Sequence, residues 1–118
     1  MAQILLVTDD DEIAGVLSKF VLKAGYEVTL ARDYNSAMAC VQSESIQLVL
    51  LDTLWNGDFS SIDLANALSS FDATLPMIML DIHDERHSRL IPRINISFMG
   101  RPFDIEEVML RIHRSLNP

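Results

Sequence analysis

The sequence predicts a three-layer α/β fold in which helices cover both faces of a five-stranded parallel sheet. Short apolar runs typical of strands alternate along the chain with longer stretches of helical periodicity, which is the pattern of successive strand–helix–strand units. Two of these runs, Ile4–Thr8 and Leu48–Asp52, are almost continuously apolar, as expected for strands buried on both faces. A length of 118 residues is typical of one domain, which we expect to extend over residues 1–118.

We expect the strands to lie in the order 2-1-3-4-5, with right-handed crossovers between parallel neighbours. This order places the first and third strands side by side, at the point where the winding of the sheet reverses. The five predicted strands are Ile4–Thr8, Glu27–Ala31, Leu48–Asp52, Met77–Asp81 and Asn95–Met99.

The stretches between the strands predict helices. The first predicted helix ends before Gly25, a residue type favoured just past a helix C-terminus. Its expected core-facing residues are Ile13, Leu17, Phe20, Val21 and Ala24. The four predicted helices are Asp11–Ala24, Asn35–Gln42, Ile62–Leu68 and Ile105 to about Leu116. Asp104 and Glu107 have the spacing of a capping box at the start of the last helix. The segment from Ile82 to Ile94 is rich in charge and contains Pro92, so any helix there should be short.

Composition and charge disfavour several classes of function. The net charge of −8 argues against direct binding to nucleic acid or to an anionic membrane, because both depend on clustered cations. The single cysteine, Cys40, cannot form a disulfide within the chain, which is typical of a reducing compartment. The first residues contain neither a basic segment nor a long apolar stretch, so we expect a cytoplasmic protein without a signal peptide or membrane span.

Acidic residues follow the first and third predicted strands. In an open parallel sheet, ligands bind beyond the carboxyl ends of the strands, where the strand order reverses. The expected order brings Asp9 and Asp52 to that point, and paired carboxylates suit Mg²⁺. Asp81 and Arg101 follow the fourth and fifth strands and should border the same pocket. A carboxylate nucleophile, a metal site and a cation are the parts that phosphoryl transfer requires.

Four segments resemble the receiver domain of bacterial two-component response regulators, which has a flavodoxin-like fold. They are Ile4–Asp10, Leu48–Asp52, Leu75–Leu80 and Arg101–Asp104, and the resemblance runs across all 118 residues. It implies that Asp52 accepts a phosphoryl group from a sensor histidine kinase or phosphotransfer protein, without further enzymatic activity. It implies a Mg²⁺ site formed by Asp9, Asp52 and the Leu54 carbonyl, and a switch role for the aromatic residue Phe98. It also implies an output domain or partner protein, and a dimer or partner face on the last strand and helix.

The chain departs from the family pattern around Asp52. The first of the two acids that usually follow the first strand is Thr8, and Asp10 is a candidate replacement for it as a metal ligand. Asp81 replaces the hydroxyl residue that usually follows the fourth strand, and Arg101 replaces the lysine before Pro-Phe. At about 5 Å and an effective dielectric near 20, repulsion between Asp81 and Asp52 would be roughly 3 kcal/mol. The repulsion would be relieved if Asp81 bound the metal, took up a proton or paired with Arg101, and an Asp81–Arg101 pair would partly imitate the phosphorylated arrangement.

The sequence leaves three functions open. The first is a phosphoacceptor switch, in which Mg²⁺ and Arg101 offset the charge that develops at Asp52. The second is a pseudo-receiver, a protein-binding module that acts without phosphorylation, and it is favoured by Thr8, Asp81 and Arg101. The third is a small hydrolase with Asp52 as its nucleophile. Leu54 disfavours the hydrolase, because such enzymes usually have a second aspartate at that position.

Overall fold

The computed structural model of the chain describes residues 2–52, 61–80, 96–99 and 104–117. These residues form a five-stranded parallel sheet in the predicted order, β2-β1-β3-β4-β5. The strands are β1 (Gln3–Val7), β2 (Glu27–Ala31), β3 (Leu48–Asp52), β4 (Met77–Leu80) and β5 (Ile96–Met99). The helices are α1 (Asp11–Lys23), α2 (Tyr34–Ser43), α3 (Ser61–Phe71) and α4 (Ile105–Leu116).

Several ends of these elements differ from the prediction. β1 covers Gln3–Val7 instead of Ile4–Thr8, because Gln3 pairs with Glu27 at the start of β2. α3 continues to Phe71, well past the predicted end at Leu68. It stops where Asp72 accepts hydrogen bonds from the backbone and side chain of Thr74 and closes a turn. α1 and α2 differ from their predicted ends by a residue, whereas β2, β3 and α4 have the predicted bounds.

Helices pack on both faces of the sheet. Successive residues of a strand point to opposite faces, so each face has its own buried cluster. The cluster under α2 and α3 contains Leu5, Val7, Val49, Leu51, Met77 and Met79 from the sheet. The cluster under α1 and α4 contains Ile4, Leu6, Leu48, Leu50, Ile78 and Leu80. All five residues of β3 are buried, which agrees with a sequence that is apolar up to its last residue, Asp52.

The buried face of α1 is narrower than the sequence predicts. Ala14, Leu17 and Val21 are buried, whereas Phe20 is 40% exposed and Ala24 is exposed. The prediction for Phe20 is wrong because a turn of 100° per residue places it to one side of the stripe formed by the three buried residues. Ala24 lies beyond the last helical residue, where it is the C-cap.

No described helix is long and apolar enough to span a membrane. The predicted irregular segment from Ile82 to Ile94, together with Asn95 and Asp81 at the predicted strand ends, lies outside the described residues.

Candidate functional site

Asp52 is the last residue of β3, and its carboxylate is buried at the carboxyl end of the sheet. Asp52 as a whole is only 1% exposed. β3 lies between β1 and β4, and Asp52 is in register with Leu80, the last residue of β4. A buried carboxylate needs hydrogen bonds or a neighbouring charge to compensate for the hydration that it loses. The groups that surround Asp52 therefore determine what this site can do.

Thr8 contacts Asp52 directly. Val7 of β1 pairs with Leu51 of β3, so the next residues, Thr8 and Asp52, come side by side. Thr8 is 1% exposed, and its hydroxyl Oγ1 donates a hydrogen bond to Oδ2 of Asp52 at 2.7 Å. Its backbone N–H donates to the carbonyl of Ala31 at 3.0 Å, which holds the residue in line with the end of β2. A neutral donor thus contacts the carboxylate at the position where the family usually has an acid.

Asp10 orients the Thr8 hydroxyl through its backbone. The Asp10 N–H donates to Thr8 Oγ1 at 3.0 Å, and a threonine hydroxyl has a single proton to donate. Because the oxygen accepts from Asp10, its proton is directed toward Asp52. The Asp10 side chain is the N-cap of α1, where Oδ1 accepts from the N–H groups of Glu12 at 2.9 Å and Ile13 at 3.2 Å. A continuous path of hydrogen bonds therefore joins the start of α1 to Asp52.

This hydrogen bond was not predicted from the sequence, in which Thr8 stood only for the loss of a metal-ligating acid. The signal was nevertheless present. The predicted order makes the first and third strands neighbours. Thr8 and Asp52 are the last residues of these two predicted strands, so they could have been expected to lie side by side.

The described donors fit a magnesium ion that keeps several waters. Asp9 is an exposed carboxylate that follows Thr8, and Asp52 supplies a buried one. Mg²⁺ is commonly held by one or two protein carboxylates, with waters and phosphate oxygens completing its shell. Within residues 2–52, 61–80, 96–99 and 104–117 there is no group of three or more His, Cys, Asp or Glu residues that could hold a metal. Asp9 and Asp52 are therefore carboxylates of the kind that such a hydrated ion binds.

Negative charge dominates the β1 side of the site. Four acids, Asp9–Glu12, follow one another there. Arg32, which follows β2, forms an ion pair with Asp11, and the two side chains are 55% and 81% exposed. Such an exposed pair contributes little stability. The remaining charge on this side favours a cation over a free anion.

Of the remaining predicted site residues, the structure describes only Phe98. Leu54, Asp81 and Arg101 lie outside the described residues. Phe98 is in β5, where its backbone is in register with Met79 of β4. The carboxyl ends of β3, β4 and β5 thus share one edge of the sheet, as predicted.

Comparison with known proteins identifies the family from the sequence and finds the same fold among solved structures. The model of the response regulator receiver domain matches residues 4–113. The chain is 30% identical over 115 residues to the probable transcriptional regulatory protein TcrX of Mycobacterium tuberculosis, a match that covers 96% of this chain and 49% of that protein. The chain spans about half the length of the curated relatives that it matches first.

Solved receiver structures share the fold. The receiver domain of NtrX from Brucella abortus matches with a TM-score of 0.81 and 24% identity, covering 96% of this chain and 97% of that one. The response regulator TrrA of Thermotoga maritima, solved in complex with Mg²⁺-BeF, matches with a TM-score of 0.83 and 21% identity, covering 98% of this chain and 100% of that one. The chain belongs to the response regulator receiver domains, the domains through which two-component systems receive their signal.

Proposed function

We propose that Asp52 is the phosphoacceptor of this receiver domain. The observation that carries this proposal is the position of its carboxylate, buried at the end of the central strand β3 and held by Thr8. A lone pair of an Asp52 oxygen attacks the phosphorus of a phosphohistidine. The phosphorus–nitrogen bond breaks, and the imidazole nitrogen keeps the electron pair and takes up a proton. The product is an acyl phosphate on Asp52.

Other residues of this chain bind and orient the phosphoryl group. Asp9, Asp52 and the Leu54 carbonyl would hold Mg²⁺, which when bound would offset negative charge on the phosphoryl oxygens. Arg101 supplies a second positive charge and can form two parallel hydrogen bonds with phosphate. Asp10 already caps α1 with Oδ1, so we assign it to the helix and to the orientation of Thr8. The complex of TrrA with Mg²⁺-BeF supports this assignment of the metal site.

The partners follow from the same chemistry. We propose a sensor histidine kinase or phosphotransfer protein as the donor, and an output domain or partner protein as the recipient of the switch, with Phe98 reporting it. The match to about half of a transcriptional regulatory protein supports a linked output domain. With a net charge of −8, this domain itself is poorly suited to DNA, so any DNA contact would belong to that second part. We propose the cytoplasm as the location, where such partners meet.

Phosphorylation of the purified chain tests the proposal. Wild-type protein is incubated with Mg²⁺ and either acetyl phosphate or phosphoramidate, and its intact mass is measured. One phosphoryl adduct is expected in wild type and none in Asp52→Asn. Asp63→Asn is the matched control, because it makes the same change at an exposed position on α3 and should still form the adduct. Absence of an adduct in wild type with both donors would overturn the proposal.

The pseudo-receiver function is less well supported. The family match and the relatives favour a phosphoryl-accepting domain. Phosphorylation-independent output would depend on Asp81 and Arg101. If Asp52 is instead the phosphoacceptor, Asp81→Thr should leave the adduct on Asp52 intact and increase its yield, since the substitution removes the negative charge that we expect near the acceptor.

A further inference from the structure

We propose that Thr8 sets the lifetime of the phosphorylated state by stabilising the free Asp52 carboxylate. This inference rests on the proposed function and adds a positioning residue to it. Thr8 stands where the family has an acid, so its hydrogen bond to Oδ2 is a property of this chain. The hydroxyl is buried and its oxygen accepts the Asp10 N–H, so it keeps the same direction in the absence of any ligand.

The strength of this hydrogen bond depends on the charge of Asp52. A hydrogen bond to an ionised carboxylate is roughly twice as strong as one between neutral groups. When Asp52 carries a phosphoryl group on one oxygen, the other becomes the carbonyl oxygen of an acyl phosphate and loses most of its negative charge. Thr8 therefore stabilises the free carboxylate more than it stabilises the phosphorylated one.

The geometry also indicates which oxygen reacts. Thr8 holds Oδ2, so we assign Oδ1 as the oxygen whose lone pair attacks phosphorus. In the reverse direction water attacks phosphorus, the bond between phosphorus and Oδ1 breaks, and the carboxylate keeps the electron pair. Inorganic phosphate leaves, and the proton lost by the attacking water passes to solvent.

The two directions should respond differently to loss of the hydroxyl. Transition states of phosphoryl transfer are loose, with little bonding to either the attacking or the leaving oxygen. The carboxylate is therefore almost fully charged in the transition state, as it is in the free protein. Loss of the Thr8 hydroxyl removes a strong hydrogen bond from both the free carboxylate and the transition state, but only a weak one from the adduct. The rate of phosphorylation should therefore stay nearly unchanged, and the rate of hydrolysis should fall.

The test measures both rates in variants of Thr8. In Thr8→Val we expect hydrolysis of the adduct to slow about fivefold, which is about 1 kcal/mol at 1.4 kcal/mol per factor of ten. The initial rate of phosphorylation by acetyl phosphate at saturating Mg²⁺ should stay within about twofold of wild type. Thr8→Ser, which keeps the hydroxyl, should restore the wild-type lifetime. Thr8→Ala carries the same prediction as Thr8→Val and replaces it if the valine variant does not fold.

A matched control separates this effect from a general loss of packing. Thr29→Val makes the same substitution on β2, where the hydroxyl contacts Gln3 and Glu44. It should change neither rate. As a readout independent of turnover, the amide signal of Asp10 in ¹H–¹⁵N spectra should shift on phosphorylation in wild type and Thr8→Ser. It should shift less in Thr8→Val, because the Thr8 hydroxyl links this amide to Asp52.

The outcomes distinguish the two proposals. Failure of wild type to form an adduct overturns the assignment of Asp52. If wild type forms the adduct and Thr8→Val loses it as fast as wild type does, only the role of Thr8 is overturned. A large decrease in the phosphorylation rate of Thr8→Val that Thr8→Ser shares would likewise overturn it, because the hydroxyl would then not be the group that matters.

Discussion

Substitution of Asp10 separates helix capping from metal binding. Asp10 is acidic and adjacent to the site, yet its Oδ1 accepts two backbone hydrogen bonds at the start of α1. Asp10→Ala removes both hydrogen bonds and the charge, whereas Asp10→Asn removes the charge and keeps an oxygen that can accept them. The difference between the two variants in free energy of unfolding therefore isolates the contribution of the capping hydrogen bonds.

The magnitudes follow from these contacts. Loss of an N-cap side chain costs about 1 kcal/mol, and loss of a negative charge at a helix N-terminus costs about 0.5 kcal/mol. Asp10→Ala should therefore lower the free energy of unfolding by about 1.5 kcal/mol, and Asp10→Asn by about 0.5 kcal/mol. For a chain of 118 residues, the alanine variant should lose about 6 °C in Tm.

The assay combines urea unfolding followed by circular dichroism with calorimetric titration of Mg²⁺ on the same proteins. Asp10→Asn should bind Mg²⁺ within about twofold of wild type, whereas Asp9→Asn should lose about tenfold or more in affinity. Asp33→Ala, which removes the N-cap of α2, is the control that lowers stability without changing the metal site. Equal losses of Mg²⁺ affinity in Asp10→Asn and Asp9→Asn would refute the assignment of Asp10 to the helix.

Two further predictions concern the scaffold. Leu17→Ala should lower the free energy of unfolding by about 3 kcal/mol, because Leu17 is fully buried on the side of α1 that packs against the sheet. Leu22→Ala, on the same helix but 56% exposed, should cost about 0.5 kcal/mol or less, and similar losses in the two variants by urea unfolding would contradict the described packing. The second prediction is a pH dependence. The backbone and side chain of Ser36 lower the pKa of Asp33 from its ordinary value of 3.8, so its ionised form stabilises the fold above that pH. This contribution is lost as the pH falls through the lowered pKa. Asp33→Asn should therefore differ from wild type in Tm at pH 6 and differ less at about pH 2; a difference that does not change with pH would show that the charge has no part in the cap.

The strand pattern predicted the fold well because the central strands have a distinctive composition. β3 is apolar from Leu48 to Leu51 and buried along its whole length, so both its type and its bounds could be predicted from the sequence. Periodicity was less informative at the margins of a helix. Phe20 lies at the side of the buried stripe of α1. Whether the sheet buries a residue at that position depends on how the helix is rotated against the sheet, which periodicity does not give. The end of α3 depended on the turn at Asp72, which has no strong helix-breaking residue before it.

The candidate site was predicted less completely than the fold. Asp52 was predicted from its place at the end of the apolar run of β3 together with the flanking segments and with Asp9, which follows β1. The sequence left Asp10 between a helix cap and a metal ligand; its side chain caps α1 in the structure, and a role at the metal stays a prediction. The contact between Thr8 and Asp52 depends on a side-chain rotamer and on the exact register of β1 with β3. Neither can be obtained by counting acidic residues along a sequence.

Thr8 also changes how the charge around Asp52 is distributed. In the family pattern an acid follows the first strand and a hydroxyl residue follows the fourth, whereas this chain has Thr8 and Asp81 at those positions. β1 and β4 are the two neighbours of β3, so in the sequence the acid and the hydroxyl have exchanged places between the residue after β1 and the residue after β4. The number of acids at these two positions is thereby conserved, and after β1 a hydrogen bond to Asp52 stands in place of a repulsion that at about 4 Å and a dielectric near 20 would reach about 4 kcal/mol. The exchange moves the need for a compensating cation toward β4 and β5, and Arg101 follows β5. We therefore interpret Thr8, Asp81 and Arg101 as one coordinated change of charge at the sequence positions that follow β1, β4 and β5, and not as three separate losses.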